Sequence, residues 1–481
     1  MDHEAFRRLG HRLIDWIADY RRDAAAGVYP VMAQVSPGDV RGALPSAPPS
    51  EPEPLERALA DLERIVLPAC THWQDPRFFA YFPSNSALAA VLGDLAGTGL
   101  AQLGLNWQAS PALTELEELT TDWLRQMMGL SESWSGVIQD TASTSTLVAL
   151  LCARERTSGY GAAAGGLQAS PEPLVVYASS QSHSSVEKAA LLAGFGRNNL
   201  RTVAVDERYG MRPDSLREAV THDIGRGMRP CAVVATVGTT ATTAIDPVTD
   251  IAEVAAEHGL WLHVDAAMAG SAMILPECRP LWRGIERADS VVVNAHKWLG
   301  ASFDCSVYYV RDPQHLIRVM STNPSYLRTT ADGGATNFRD WGIPLGRRFR
   351  ALKLWFLIRE QGVSGLQDRL RRDLGHARWL AETVEAAPDW KCLAPVPLQT
   401  VCVRHEPPGI AGEALDAHTL RWVRRINESG AAYLTPALLE GRWMVRVSFG
   451  VESTERPHVE ALWVQMQAAV SACAVRRSDR G

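Results

Sequence analysis

The chain has 481 residues, of which 48 are Lys or Arg and 54 are Asp or Glu, so its formal net charge is −6. Hydrophobic residues make up 46% and charged residues 21%, which excludes a disordered chain and, with the mild acidity, a whole-chain basic surface for nucleic acid. The length exceeds what one simple hydrophobic core usually supports and predicts two or more domains, or one large domain with appendages.

The N-terminal segment is predicted to form an amphipathic helix, because apolar residues recur at helical spacing from Phe6 to Ile17. The apolar stripe of this helix needs a cover, which its own domain or a partner subunit would supply. Residues 36–54 contain six prolines and predict a non-helical connector. A second helix is predicted over residues 55–67.

Neither a membrane span nor a signal segment is expected. Residues 87–105 form the longest apolar stretch, but Asp94 and Gln102 interrupt it, which predicts a buried helix. The first four residues are acidic and have no apolar signal core behind them. The eight cysteines are scattered without a CxxC pair, which favours reduced, buried thiols in a cytoplasmic protein over disulfides or metal ligands.

From residue 174 onward, short β-branched runs alternate with helix-like stretches. Near-continuous apolar strands between helices predict a mostly parallel sheet buried on both faces, with ligands at the carboxyl ends of its strands. The predicted strands are residues 174–177, 202–205, 232–236, 260–264 and 290–293, and the intervening helices are 184–193, 214–221 and 247–258.

The chain after residue 351 is predicted to form a separate α+β domain. Helical patterns cover residues 352–359 and 365–384, strands are expected at 398–404 and 443–448, and a last helix at 458–470. The predicted domains are residues 1–85, an N-terminal helical segment that forms a dimer; 86–360, a large α/β domain; and 361–481, a small α+β domain.

Two charged residues at strand ends suggest cofactor chemistry. Lys297 directly follows a buried strand, and desolvation there turns a lysine into a nucleophilic amine able to form a Schiff base. Asp265 ends another apolar strand and is followed by small residues, which leaves room for a flat ligand whose ring nitrogen it keeps protonated, as pyridoxal phosphate requires. Taken singly, a surface lysine and a helix-capping aspartate explain these residues equally well.

Two further groups fit the same ligand. The hydroxyl-rich run 140–146 opens a helix and offers N–H donors to a phosphate, although an ordinary capped helix looks similar. His183 follows the strand at 174–177, where an imidazole either stacks on a planar cofactor or serves a structural role.

The order of these groups along the chain resembles the aspartate-aminotransferase-like pyridoxal-phosphate fold, known as fold type I. Residues 183–187, 261–267, 294–299, 324–327 and 341–349 resemble the group II amino-acid decarboxylases. Within that group the chain is similar to the aromatic L-amino-acid decarboxylases, the bacterial DOPA decarboxylases in particular, over residues 6–463.

The resemblance implies a role for each matching residue. Lys297 is the Schiff-base lysine, Asp265 pairs with the pyridine nitrogen, and Tyr326 protonates the substrate carbon. His183 and Ala267 lie on opposite faces of the cofactor ring. The implied phosphate ligands are Thr141, Ala142, Ser143 and Asn294, with His296 and Thr240 around the cofactor. The implied substrate pocket comprises His183, Trp73, Tyr81, Phe82, Pro83, Ser84, Arg446, and Leu103 and Leu105 from a partner subunit.

The resemblance predicts a homodimer that decarboxylates an aromatic L-amino acid, with L-DOPA favoured and tyrosine, tryptophan, 5-hydroxytryptophan or phenylalanine open. Family members that release an aldehyde carry Phe where this chain has Tyr326, which favours plain decarboxylation. An aldehyde synthase and a histidine or glutamate decarboxylase remain alternatives. Three departures, namely Met268 in place of Tyr, Leu105 in place of an aromatic residue and a shortened loop at 329–338, leave the ring preference open.

Overall fold

The computed structural model describes residues 1–169, 171–322 and 333–478, with side chains described through residue 473. The chain packs into two compact units. We call Ser84–Leu374 with Ala394–Gln399 the sheet unit, and Met1–Pro83 with Gly375–Leu393 and Thr400–Gly481 the terminal unit. The predicted three-part domain division stays a prediction.

The sheet unit is built on a seven-stranded sheet. Its strands are β1 (Ser135–Gln139), β2 (Leu174–Ser179), β3 (Leu200–Val203), β4 (Arg229–Thr236), β5 (Trp261–Asp265), β6 (Ser290–Asn294) and β7 (Ser306–Val310). The spatial order is β1-β7-β6-β5-β4-β2-β3. All five predicted strands are present, and β2 to β6 pair in parallel, which confirms the mostly parallel sheet.

Two strands, β1 and β7, were missing from the sequence prediction. β7 runs antiparallel to both β6 and β1, so β1 has the same direction as the parallel strands. The carboxyl ends of β1, β2, β4, β5 and β6 therefore lie along one edge of the sheet. This edge is where ligands of open α/β sheets bind.

Helices flank these strands, as expected for a sheet buried on both faces. Those that begin in the sheet unit are α4 (Leu88–Leu100), α5 (Pro111–Met128), α6 (Ala142–Ser158), α7 (Gly161–Gly165), α8 (Ser184–Leu192), α9 (Pro213–Gly225), α10 (Val248–His258), α11 (Pro313–Met320) and α12 (Ala351–Glu385). The two helices predicted after residue 351 form the single segment α12, which is interrupted at Gly362 by a positive φ of 62°.

Helix α4 corrects the prediction of a buried helix at 87–105. Leu88, Leu92 and Leu95, at helical spacing, are 48–49% exposed in the single chain. Gly93 packs so closely on α12 that an added Cβ would lie 2.8 Å from the Leu352 carbonyl oxygen. The helix is thus buried on its glycine face and open on its leucine face, a difference that mean hydropathy does not reveal.

The terminal unit combines both ends of the chain around a second, four-stranded sheet. Its strands are β8 (Trp390–Cys392), β9 (Thr400–His405), β10 (Thr435–Leu439) and β11 (Arg442–Ser448), in the antiparallel order β10-β11-β9-β8. Its helices are α1 (His3–Ala25), α2 (Asp39–Ala43), α3 (Leu55–Asp61), α13 (Gly412–Ser429) and α14 (Arg456–Ser478). The predicted N-terminal and last helices are confirmed.

Helix α2 contradicts the prediction of a non-helical connector at 36–54. It begins after Gly38, whose φ of 103° turns the chain, and lies between Pro37 and Pro45. Proline breaks a helix only from within it, so a short helix between prolines is allowed. Within the described residues, no helix is both long and apolar enough to cross a membrane. All eight cysteines are free thiols.

A buried ion pair completes the edge strand β1. Glu117 on α5 accepts the Ile138 N–H at 2.8 Å, and Arg347 donates to the Ile138 carbonyl at 2.6 Å. The two side chains also bond each other, with Arg347 Nη1 3.0 Å from Glu117 Oε2. Ile138 is fully buried, so the pair satisfies backbone groups that water cannot reach.

We expect Arg347→Met to lower the free energy of unfolding by about 3–5 kcal/mol, because it leaves the Glu117 carboxylate buried without its charge partner. The measurement is the urea midpoint of unfolding of the purified protein. Arg217→Met is the matched control, since Arg217 pairs with Glu257 at the surface and its loss should move the midpoint far less. Equal shifts in the two variants would contradict the assignment.

Candidate active site

Lys297 lies in a tight turn at the carboxyl end of β6. The turn Ala295–Leu299 follows Asn294 directly, and Lys297 departs from helical geometry with φ −96° and ψ −111°. Its neighbours Trp298 and Leu299 are fully buried, whereas Lys297 itself is half-buried. The sequence expectation of a lysine at a buried strand end is therefore met, and the turn rather than a regular helix presents it.

Asp265 ends the adjacent strand β5, where it is opposite Thr236 of β4 and Val292 of β6. Its Oδ1 accepts the backbone N–H of Ala267 at 3.0 Å. Burial lowers the pKa of His263, two residues earlier, to about 4, although the charge of Asp265 opposes that shift. Because His263 is neutral at physiological pH, it does not neutralise the aspartate, which remains available to a cationic ligand atom.

His183 is the N-cap of α8, just beyond the end of β2. The backbone N–H of Ser185 donates to its Nδ1 at 3.1 Å, and Ser185 Oγ lies 2.8 Å from the same nitrogen. Desolvation lowers the pKa of His183, Lys297 lowers it further, and Asp265 opposes them. Asp265 and Lys297 thus both lie within electrostatic range of His183. The imidazole is neutral, and a flat neutral ring is suited to stacking.

The hydroxyl-rich run forms the start of α6 immediately after β1. Thr141 is the N-cap, and its Oγ1 accepts the N–H of Thr144 at 3.4 Å. The first N–H groups of this 17-residue helix point to the edge where β1 ends, and Ser143 is exposed there. Ala142 packs with Ala267 and Val292 in one small cluster, which joins the helix start to the strand that carries Asp265. Such a helix start suits an anionic group.

Asn294 supplies a test of whether a polar cofactor fits. Its Oδ1 is buried and has no hydrogen-bond partner among the described residues, although Asn294 is only 3% exposed. Buried amides are normally satisfied, so this one fits a site that a polar group completes. A helix start for a phosphate, a carboxylate for a ring nitrogen and a lysine amine for an aldehyde together match pyridoxal phosphate.

His296 and Thr240 lie at neighbouring strand ends. His296 Nδ1 accepts the Cys305 N–H at 3.0 Å, and burial together with the charge of Lys297 lowers its pKa to about 4. Thr240 is exposed in the loop after β4. Both residues lie at the carboxyl-end edge of the sheet, and their place around the cofactor stays a prediction. His296 joins the lysine turn to the segment that precedes β7.

The predicted substrate residues fall in both units. In the sheet unit, Leu103 is 55% exposed, and Leu105 and Ser84 are half-buried. In the terminal unit, Trp73 stacks on Tyr81 with ring centroids 5.6 Å apart, and both rings are exposed.

Other parts of the terminal-unit motif are less accessible. Pro83 is buried, and Phe82 lies under the guanidinium of Arg446, 4.8 Å from its ring centre. Arg446 is itself buried, and desolvation lowers its pKa. The preceding residues Phe78 and Phe79 are core residues, so the aromatic motif is divided between core packing and an accessible surface.

Tyr326, the predicted proton donor, lies outside the described residues.

The structure adds several residues that the sequence did not indicate. Asn85, Arg369 and Asp373 contact the lysine turn, and Tyr433 Oη lies 3.1 Å from Tyr81 Oη. No sequence pattern links them to the site, because the contacts join residues 71 or more positions apart.

Comparisons with known proteins agree with this geometry. Residues 37–406 match the pyridoxal-dependent decarboxylase conserved domain. The chain is 39% identical to tryptophan decarboxylase 2 of Oryza sativa subsp. japonica, covering 96% of this chain and 94% of that protein. It is also 39% identical to phenylacetaldehyde synthase of Arabidopsis thaliana, covering 98% and 97%.

A crystal structure of Oryza sativa TDC with PLP and tryptamine superposes with a TM-score of 0.95 at 36% identity, covering 98% of this chain and 99% of that one. The large parallel sheet, the small antiparallel sheet and the helical N-terminus are those of fold type I. The cofactor is pyridoxal phosphate. The chain belongs to the pyridoxal-dependent decarboxylase family.

Proposed function

We propose that the protein decarboxylates an aromatic L-amino acid to the corresponding arylalkylamine, with L-DOPA the first substrate to test. The observation that carries the proposal is the convergence of Lys297, Asp265, His183 and the start of α6 at one sheet edge. The exposed Trp73–Tyr81 stack supports an aromatic substrate, and Ser84 offers a hydroxyl for a ring hydroxyl group. The tryptamine in the rice structure is an amine of the expected class.

Pyridoxal phosphate, when bound, supplies an electron sink for the bond between the substrate's Cα and its carboxylate. The residues of this chain hold and orient the reactants. Lys297 anchors the cofactor through its amine, Asp265 keeps a proton on the ring nitrogen, and the neutral ring of His183 covers one face. Tyr326 then donates a proton to Cα, which yields the amine.

An aldehyde-forming activity is the alternative, because one relative is a phenylacetaldehyde synthase. Oxidation of the amine carbon requires dioxygen and yields aldehyde, ammonia and peroxide, whereas protonation by Tyr326 ends the reaction at the amine. Having Tyr at position 326 favours the amine. A histidine or glutamate decarboxylase is disfavoured by the aromatic character of the residues around Tyr81.

We propose that the active form is a homodimer in which the leucine face of α4 lies between two copies. Leu88, Leu92 and Leu95 form an apolar row, and Leu100 and Leu103 extend it along the chain. Exposing an apolar row of this length to water is unfavourable, and an isologous contact buries the rows of both subunits against each other. Leu103 and Leu105 are the residues that we expect one subunit to contribute to its partner's substrate pocket.

We propose that the protein acts in the cytoplasm. Its eight cysteines are free thiols, and five of them are buried. Burial raises the pKa of Cys231 and of Cys305 to about 12, so these thiols are inert rather than reactive. Reduced, unpaired cysteines are typical of a reducing compartment. Fractionation of the native cells would test this assignment.

Incubation of the purified holoenzyme with single amino acids should give amine and carbon dioxide from aromatic substrates only. The panel comprises L-DOPA, tyrosine, tryptophan, 5-hydroxytryptophan and phenylalanine, with histidine and glutamate as non-aromatic controls. Amine, aldehyde and peroxide are measured together by chromatography and a peroxide assay. Aldehyde with one equivalent of peroxide as the main product would overturn the proposal.

We expect Tyr326→Phe to retain the cofactor but to divert the product from amine toward aldehyde, because the substrate carbon loses its proton donor. The measurement is the amine-to-aldehyde ratio at equal cofactor content. Tyr29→Phe is the matched control, since it removes a tyrosine hydroxyl from a ring that stacks on His72 in the terminal unit. An unchanged amine yield in Tyr326→Phe would refute the role of this residue.

Placing a charge on the leucine face should separate the subunits, because a buried unpaired carboxylate opposes association. We expect Leu92→Glu to convert dimer to monomer and to reduce turnover as the partner's contribution is lost. Light scattering coupled to size exclusion measures the mass. Leu192→Glu, on an exposed position of α8, is the control and should remain dimeric. A dimeric Leu92→Glu protein would exclude this interface.

A further inference from the structure

Backbone hydrogen bonds from Gly300 and Ala301 to the Ala295 carbonyl close the turn that carries Lys297. Gly300 ends it with a φ of 106°, and the N–H of Gly300 returns to Ala295. The carbonyls of Trp298 and Leu299 point instead toward α12. A turn that ends in this way leaves its last carbonyls to other partners.

Arg369 on α12 supplies those partners. Its Nη1 donates to the Trp298 carbonyl at 2.9 Å, and its Nη2 donates to the Leu299 carbonyl. The approach is close, because a Cβ on Gly300 would lie 3.0 Å from Nη2. Arg369 is only 7% exposed, so its charge is held away from water at this position. One planar guanidinium therefore fixes two consecutive peptide groups.

Asp373 contacts the same turn from one helical turn further along α12. Its Oδ2 accepts the indole N–H of Trp298 at 2.8 Å, and both side chains are fully buried. Its Oδ1 lies 3.9 Å from Arg372 Nε. Residues four apart share a helix face. Arg369 therefore bonds the backbone of the turn, and Asp373 bonds the Trp298 side chain, from the same side of α12.

Asn85 contacts the turn at Lys297 itself. Its side-chain nitrogen lies 3.4 Å from the Lys297 carbonyl, and its backbone N–H lies 3.5 Å away. The carbonyls of Lys297, Trp298 and Leu299 thus all have partners outside the turn. Of these contacts, the ones from Arg369 and Asp373 are the shorter and the charge-assisted.

We propose that Arg369 and Asp373 are positioning residues that set the place from which Lys297 presents its amine to the cofactor. The inference rests on the proposed role of Lys297 but not on the identity of the amino-acid substrate. Buried charges are costly, so they are expected to serve a function. Arg369 and Asp373 lie on one helix face and both bond the turn that carries Lys297, which indicates that they hold this turn in place. Misplacement of a reacting group by about 1 Å can slow a reaction on the order of 100-fold.

The test measures how quickly the lysine captures its cofactor. Cofactor-free protein is mixed with pyridoxal phosphate, and the visible absorbance band is followed in time. Borohydride reduction and mass spectrometry of the Lys297 peptide then report the trapped fraction. kcat and KM are measured on the loaded enzyme, and thermal unfolding reports whether each variant is folded.

For Arg369→Met we expect band formation and kcat to fall on the order of 10- to 100-fold, with KM changed by less than about 3-fold. Arg369→Lys should recover only part of the loss, because a point charge does not reproduce two parallel donors. Asp373→Asn keeps an acceptor for Trp298 and should stay near wild type, whereas Asp373→Ala should not. Arg371→Met, on the same helix but paired with Glu277 at the surface, is the control.

Variants that unfold at lower temperature yet capture cofactor and turn over at wild-type rates would overturn the proposal. If Arg369→Met and Asp373→Ala do not fold, Arg369→Lys and Trp298→Phe replace them in the same measurements. Slower cofactor capture and turnover would support the proposal, and wild-type rates would overturn it. A wrong assignment of Lys297 as the cofactor-binding lysine would be recognised separately, because Lys297→Ala would then still form the absorbance band. Loss of the band in Lys297→Ala with normal capture in every other variant would overturn only the positioning role.

Discussion

The common direction of the sheet strands is the constraint on which the site depends. Because β2, β4, β5 and β6 are parallel, and the antiparallel β7 restores the same direction in β1, five carboxyl ends meet at one edge. Residues far apart in sequence, from Thr141 to Lys297, are adjacent there without any loop having to reach across the sheet. The chemistry needs a phosphate cradle, a carboxylate and an amine, and each lies at or just beyond the carboxyl end of a strand of this sheet.

Burial then decides which of these groups carry charge. His263 and His296 lie beside Asp265 and Lys297, and both have pKa values lowered to about 4, because the interior disfavours an imidazolium. His183 is shifted in the same direction. Neutral histidines therefore lie beside Asp265 and Lys297. The arrangement leaves the aspartate without a histidine counter-charge and presents a neutral imidazole plane, which suits the roles that we propose for Asp265 and His183 toward a pyridoxal cofactor.

The sequence was sufficient for features that are local or ordered along the chain. Apolar runs identified β2 to β6, and the order of Thr141, His183, Asp265 and Lys297 identified the site. It was insufficient where packing decides. β1 and β7 are recognised as strands by their pairing with each other and with β6, α2 forms between prolines, and α4 has a buried glycine face that only a neighbouring helix explains. The sequence did not indicate Arg369 and Asp373, because a contact between residues more than 70 positions apart produces no periodic pattern in the sequence.

The capping of β1 has a consequence for the behaviour of the chain among its own copies. An edge strand normally exposes a row of backbone donors and acceptors on which another polypeptide can add a strand. At Ile138 the N–H and the carbonyl are both taken, by Glu117 and Arg347 respectively. Two side chains that arrive from outside the sheet thus act as a substitute for a missing neighbouring strand. At this position of the edge strand, the ion pair that stabilises β1 also leaves no donor or acceptor on which another copy of the chain could add a strand.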